Sequence, residues 1–462
     1  MVALDALVVS TALSTIRHDL GASIETLEWT VNAYTLSFAV LLMTGSALGD
    51  CFGRRRMFVS GLGLFIAASA ACALAPAAGW LIAARAIQGA GAALVTPLSM
   101  ALLIAAFPPE LRGKALGIFS GLTGLAVLSG PVVGGAISQG IAWQWIFWLN
   151  VPIGLLAIPL VLSRIQESFG PRTALDVPGL ALVTGAVLGV VWGLVRGNTA
   201  GWGSLEVVAA LVAGVLLAVA FVAWERRAPE PMLPMRFFRS RAFSLGNTAS
   251  FLTFASLFGA LFFMAQFLQT AQGHGPLDTG LRLLPWTATV FIVAPISGAL
   301  VNRIGERPLM VGGLLLQAVG MAWIALIATP DLAYAALIAP LIVAGCGISM
   351  SLPATQTSVM NSVARNEIGK ASGTFNMLRQ LGGAFGVAIL VAVFARAGSY
   401  ASAQAFSDGF ARALGVSAAM SLLGAVACMG LPSRRAAPDA SSMPAALVEA
   451  GWGASGEIER SA

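Results

Sequence analysis

The chain of 462 residues is 58% hydrophobic and only 10% charged, with a mean hydropathy of +0.86 and a formal net charge of +6. That composition excludes an ordinary soluble domain. The positive balance does not point to nucleic acid, because the basic residues are scattered over many short loops without interleaved aromatics.

Fourteen apolar segments succeed one another, near residues 1–16, 29–49, 57–75, 80–106, 115–138, 144–163, 177–196, 205–224, 243–270, 280–301, 309–328, 332–356, 371–395 and 410–431. Their lengths approach the ~20 residues that carry a helix across ~30 Å of hydrocarbon. None alternates apolar and polar residues, so helices are expected and barrel strands are not. The first segment is short: at about 1.5 Å per residue it reaches only ~24 Å. Either the bilayer thins around it or the chain begins upstream of Met1, and the second is the working expectation. No cleavable signal peptide is expected.

Asp5, in the first span, is the one acid that falls inside a span and away from a loop. An ionisable group there costs roughly 2.5–3.5 kcal/mol and is a functional candidate. Burial and a nearby cation act on a carboxyl in opposite directions, so an acid under both influences can load and release a proton. Arg85, on the fourth span, is the candidate cation. The competing reading sets Asp5 at the membrane lip, beside Met1, as a helix cap. Trp29, Asn32 and Tyr34 open the second span and fit either interface anchors or a cavity lining.

A basic loop, Gly49-Asp50-Cys51-Phe52-Gly53-Arg54-Arg55-Arg56, joins the second and third spans. Gly89-Ala90-Gly91 lies mid-helix and follows no strand, which rules out a dinucleotide fingerprint. The fifth span holds Gly130-Pro131-Val132-Val133-Gly134-Gly135. Its proline kinks a helix and its glycines let a neighbour approach closely, which suits a moving seam; ordinary small-residue packing is the plainer reading.

Phe251, Phe254, Phe258 and Phe262 share a face of the ninth span, where lipid contact is expected ahead of an apolar cavity. Arg379 sits about nine residues beyond Lys370, ~13 Å into its helix. Two readings of Arg379 stand: it binds an anionic substrate group, or it bonds backbone carbonyls near a helix break. His18 and His274 fall in loops, and the four cysteines form no close pair and no metal site. Residues 432–462 are Ala-, Ser-, Pro- and Gly-rich and are expected to be disordered.

With the N-terminus inside, 19 of the 26 basic residues fall on the cytoplasmic side, 5 on the other and 2 within spans. The positive-inside rule therefore predicts that both termini are cytoplasmic. The chain also repeats. Val301-Asn302-Arg303-Ile304-Gly305-Glu306-Arg307 echoes the basic loop at an offset of 252 residues (305 − 53). Gly345-Cys346-Gly347 echoes Gly89-Ala90-Gly91, and Gly369-Lys370 echoes Gly113-Lys114, at an offset of 256. Duplicated halves are the mark of a transporter built from two bundles. The offset exceeds six spans, so two helices are inserted, and a Pro- and Arg-rich linker occupies Trp224–Arg241. The expected organisation is an N-terminal six-helix bundle at 1–165, inserted helices and linker at 166–242, a second six-helix bundle at 243–431 and the tail.

Four motifs carry a family resemblance. Leu48, Asp50, Gly53, Arg54 and Arg55 match a Gly-x-Leu-x-Asp-Arg-x-Gly-Arg-Arg loop signature, with Ser46 and Cys51 as departures. Leu81, Arg85, Gln88, Gly89 and Gly91 match Leu-x-x-x-Arg-x-x-Gln-Gly-x-Gly, and Gly130, Pro131, Gly134 and Gly135 match an antiporter motif. The first span resembles Leu-Asp-x-Thr-Val-Val-Asn-Val-Ala-Leu-Pro, with Leu7, Ser10 and Ser14 departing. Together these make the chain resemble the major facilitator superfamily, in its fourteen-span drug:proton antiporter branch.

The resemblance implies an all-α integral membrane protein with fourteen transmembrane helices, and proton-driven export of amphipathic small molecules or drugs by alternating access. It implies proton coupling through Asp5 and Arg85. A cytoplasmic gate would involve Asp50, Gly53, Arg54 and Arg55, with Arg303 and Arg307 in the echo. The substrate cavity is expected to take in Asn32, Tyr34, Gln88, Arg379 and Gln380. No cofactor is expected beyond the proton gradient, and no metal. The expected partners are small-molecule substrate, protons and the lipid bilayer of a bacterial inner membrane, with the protein monomeric. The alternative is an uptake symporter of a small metabolite. A membrane enzyme would need clustered His, Asp, Glu or metal ligands near a membrane face, and none is visible.

Overall fold

Backbone groups in hydrocarbon must satisfy their own hydrogen bonds, and each apolar segment accordingly becomes a helix. In chain order these are α1 (Val2–Leu20), α2 (Ile24–Phe52), α3 (Arg54–Ala73), α4 (Ala78–Ala106), α5 (Pro109–Gly140), α6 (Trp145–Trp148), α7 (Asn150–Arg164), α8 (Val177–Arg196) and α9 (Leu205–Glu225). The order continues with α10 (Arg241–Gln266), α11 (Pro276–Arg282), α12 (Leu284–Thr287), α13 (Thr289–Ile304), α14 (Glu306–Ile327), α15 (Tyr334–Met360), α16 (Ile368–Ala397) and α17 (Ala403–Met429). This computed structural model describes residues 1–107, 109–170, 176–197, 200–229, 231–364 and 367–431; many side chains of α5 fall outside that description, as does the expected tail at 432–462. Among the described residues there is no strand.

The fourteen-span expectation is supported for twelve spans. Among the described residues, 12 helices are long and apolar enough to cross a membrane, and α1 and α5 are not among them. The reason is plain for α1, whose 19 residues include Asp5, Arg17 and Asp19. At ~29 Å it is nonetheless longer than expected, because the helix runs on to Leu20.

The duplication seen in the sequence is repeated in the packing. A Cβ on Gly91 of α4 would lie 2.7 Å from Phe65 N and 2.9 Å from Gly61 O of α3. Its counterpart Gly347, on α15, would meet Gln317 N at 2.3 Å and Gly313 O at 2.5 Å on α14. Gly134 of α5 is pressed against Val8 O of α1 in the same way that Gly386 of α16 is pressed against Ala255 O of α10. The turns echo too: Gly53 has φ 106° and Gly305 φ 86°, a left-handed backbone that favours glycine at both α2–α3 and α13–α14 junctions.

The two halves meet where α2 packs on α16 and α5 on α11, and α8 of the α8–α9 hairpin lies against α2 and α16. The end of the molecule holding Arg54–Arg56, Arg303 and Lys370 is the basic end; that holding Trp143 and Pro276 is the far end. The phenylalanine stripe of α10 does not face lipid as expected. Phe254 and Phe262 are buried, and Phe251 pairs with Phe385 of α16 at 5.8 Å between ring centroids.

Candidate functional site

Asp5 is 2% exposed and Arg85 1%, and the two meet inside the first half. Arg85 Nη1 donates to Asp5 Oδ2 at 2.6 Å. Gln88 Nε2 and Asn150 Nδ2 both donate to Asp5 Oδ1, at 2.9 and 3.0 Å. Arg85 and Gln88 lie one turn apart on α4, so they reach the same carboxylate from one helix face. Arg85 also donates through Nε to Thr30 O at 3.2 Å and through Nη1 to Gln88 Oε1 at 2.7 Å. The Tyr34 ring lies 4.1 Å beneath its guanidinium. Gln88 Nε2 further donates to Ser69 Oγ at 2.8 Å. The site therefore draws on α1, α2, α3, α4 and α7. A buried carboxylate survives when it is paired and fully hydrogen-bonded, and this one is. Asp5 does not act as a helix cap, since α1 has N-cap Met1 and no side-chain cap hydrogen bond.

At the basic end, Arg54 Nε donates to Asp50 Oδ1 at 2.8 Å across Gly53. Glu167, in the segment after α7, carries no mark in the sequence of its role here. Its carboxylate accepts from Arg55 N at 2.8 Å and Arg56 N at 3.2 Å, capping the first turn of α3 where the helix dipole favours an anion. A side chain at Gly53 would strike that carboxyl, 2.8 Å from its Cδ. Arg303 ends α13 and Arg307 opens α14, in the counterpart turn about Gly305.

The antiporter motif is divided between two contacts. Gly134 admits α1, while Gly135 admits α11 of the second half: its Cβ would lie 2.2 Å from Pro276 O, and that of Gly280 2.4 Å from Pro131 O. Nearby, Leu277 N donates to Gln139 Oε1 at 3.1 Å, and Gln269 Nε2 to Thr11 O at 2.9 Å. Arg17 lies 4.0 Å over the ring of Tyr400, which donates to Gln266 Oε1. Burial pushes the Tyr400 phenol up, so it is a neutral donor at any physiological pH. These contacts close the far end between the halves. Gly130 and Pro131 lie inside an unbroken α5.

The expected cavity residues do not form one cluster. Tyr34 and Gln88 belong to the Asp5 site. Asn32 Nδ2 donates to Glu28 Oε1 at 3.4 Å on α2. Arg379 and Gln380 lie on α16, where the Arg379 guanidinium stands 5.1 Å over the Phe254 ring and its buried Nε finds no acceptor. The helix runs unbroken from Ile368 to Ala397, so the carbonyl-bonding reading of Arg379 has no break to act at.

With this geometry, residues 1–387 match the family model of the Major Facilitator Superfamily. The chain belongs to the major facilitator superfamily. It is a multi-pass membrane transporter, not an enzyme. It is 34% identical to the tetracenomycin C resistance and export protein of Streptomyces glaucescens over 84% of this chain and 73% of that one. It is 35% identical to the multidrug resistance protein Stp of Mycobacterium tuberculosis, over 86% and 74%. Among solved structures it is similar in fold to the peptide transporter POT (TM-score 0.69, 14% identity, 93% of this chain and 91% of that one). It is similar also to the xylose transporter XylE of E. coli (TM-score 0.61, 14% identity, 95% and 96%).

Sequence reasoning missed several buried polar groups in this major facilitator chain. Glu28 is fully buried, because α2 starts at Ile24, five residues before the expected span. Glu225, at the end of α9, is buried and accepts from Leu233 N at 3.0 Å. Asn150 opens α7 and lies inside the expected span 144–163, where an uncharged amide draws no notice. Only its buried contact with Asp5 reveals it.

Proposed function

We propose that this transporter exports amphipathic small molecules or drugs in exchange for protons, by alternating access of two six-helix bundles. The observation that carries the reading is the buried Asp5 carboxylate, held by Arg85, Gln88 and Asn150 on α1, α4 and α7. A proton arriving at Asp5 forms a neutral carboxyl and cancels the charge that Arg85 faces. Its departure to the other side restores the pair. Because α1 also forms the close seam with Gly134 of α5 and accepts from Gln269 of the second half, a change at Asp5 is felt where the halves meet. One proton moving down ~100 mV supplies ~2.3 kcal/mol, enough for a roughly fiftyfold gradient.

Export is favoured over uptake by the relatives, which include a cephamycin export protein of Amycolatopsis lactamdurans at 34% identity. In this reading α1 and α5 also span the bilayer, giving fourteen helices, with α8 and α9 inserted between bundles at 1–165 and 243–431. The basic end faces the cytoplasm of a bacterial inner membrane, with both termini there, and the monomer needs no cofactor beyond the proton gradient. Asp50, Arg54, Arg55 and Glu167 form the cytoplasmic latch, with Arg303 and Arg307 as its second-half counterpart.

The test is dye movement in proteoliposomes under an imposed pH gradient. The unaltered chain should move an amphipathic dye against its gradient. Asp5→Asn should retain downhill exchange and lose gradient-driven movement by at least about tenfold, the equivalent of ~1.4 kcal/mol of coupling. Unchanged uphill transport by Asp5→Asn would remove Asp5 from the mechanism.

A further inference from the structure

The second half contains a half-buried cation, its Nε fully buried, that the proton site does not use. Arg379 lies 11 residues beyond Ile368, the first residue of α16, ~17 Å along the helix and within the apolar stretch Lys370–Ala397. Its Nε is buried and has no acceptor among the described residues, and no ion pair is formed there. Its one defined partner is the face of Phe254 on α10. A guanidinium carries five donors and remains charged, and leaving it in a low-dielectric setting without an anion is costly. Structural arginines in membranes are commonly paired, as Arg85 is; Arg379 has no carboxylate partner among the described residues.

The surroundings narrow what could complete it. Ser372, Asn376 and Arg379 fall at i, i+4 and i+7 on one stripe of α16, all half-buried. Half-exposed polar side chains at membrane depth line an interior space, not lipid. Asn376 donates one amide hydrogen bond to Ser372 O at 2.9 Å. Opposite stand the aromatic rings of α10: Phe254 and Phe258 stack at 6.0 Å and 30°, and Phe251 pairs with Phe385. Gly383, one turn beyond Arg379, leaves room for Phe258, with a Cβ position only 3.2 Å from that ring. A planar apolar wall beside one uncompensated guanidinium suits a flat aromatic molecule with an anionic group.

We infer that Arg379 is a specificity-determining residue that binds the anionic group of an aromatic substrate, with Phe251, Phe254 and Phe258 against its ring system. This rests on the export reading for its physiological meaning, but binding tests it separately. The guanidinium fork fits a carboxylate or sulfonate bidentately. Asp5 and Arg379 then divide the work: the first half carries the proton and the second selects the charge of the cargo.

Two probes share one ring system and carry opposite fixed charges: naphthalene-2-sulfonate and the 2-naphthyltrimethylammonium cation. Equilibrium binding to the purified full chain, with no gradient, reads the inference alone. The unaltered protein should prefer the sulfonate. Arg379→Gln should weaken sulfonate binding by about tenfold and leave cation binding equal or tighter, while Arg379→Lys should keep the sulfonate preference in part. Recovery by Lys separates loss of charge from loss of fold. An unchanged sulfonate-to-cation ratio in Arg379→Gln, or no sulfonate binding by the unaltered chain, would overturn the inference. Arg379-dependent binding without gradient-driven movement would uphold it and reject the export reading instead.

Discussion

Asp5 accepts hydrogen bonds from three side chains on two other helices, and Arg85 ties that carboxylate to the backbone of α2 at Thr30. A lysine at position 85 would keep the charge but could not reach Asp5, Thr30 O and Gln88 Oε1 together. Arg85→Lys should therefore lower gradient-driven dye movement by about tenfold or more, while a thermal unfolding scan shows the protein still folded. Equal transport by both proteins would mean that only the charge matters. The pairing of Asp5 with Arg85 was legible in the sequence, because ionisable residues deep in apolar spans are rare enough to seek each other. Asn150 and Glu167 were not. Glu167 lies in a connecting segment, where a polar residue usually meets water, and Asn150 is an uncharged side chain inside the expected span 144–163; nothing local announces a partner more than 100 positions away.

At the level of helices, apolar run length located helical structure in every run, since the bilayer imposes one solution on each, although α5 and α17 start six and seven residues before their runs and the runs at 144–163 and 280–301 break into shorter helices. It failed at the ends. Glu28 looked like a loop residue because α2 begins a turn before its apolar run does. The glycine motifs were legible as close approaches, but their partners were not. Gly91 and Gly347 occupy equivalent crossings of α4 on α3 and α15 on α14, so Gly91→Val and Gly347→Val should cost similar stability, about 1–3 kcal/mol each. Gly63, with nothing within 4 Å of its Cβ position, should accept Ala without loss. Melting temperatures of the three purified variants check this, and a large difference between the two valine variants would contradict equivalence of the halves. Glu167→Gln, which weakens the cap on α3, should cost about 1 kcal/mol in the same measurement.

Across the whole molecule, the far end is closed by Gly135 on Pro276, Gly280 on Pro131, Gln139 on Leu277 and Gln269 on Thr11. If transport requires that seam to open, a short bis-maleimide bridging cysteines placed at Gln139 and Leu277 should stop it. The same variant without the reagent should work, in a background where Cys51, Cys72, Cys346 and Cys428 are Ala. The matching close crossings of Gly91 and Gly347, and of Gly134 and Gly386, were legible from the offset between halves. Which end is closed was not, because a rocking transporter has one sequence and more than one arrangement.

Exchange of cargo for a proton at Asp5 is tested most directly by proton release when a transported dye binds the purified protein in weakly buffered solution. At a pH low enough to protonate Asp5 in the empty protein, antiport at Asp5 predicts proton release on dye binding by the unaltered chain, approaching one per dye, and none by Asp5→Asn, although that variant still binds dye. No release from the unaltered chain, or equal release from both, would contradict it.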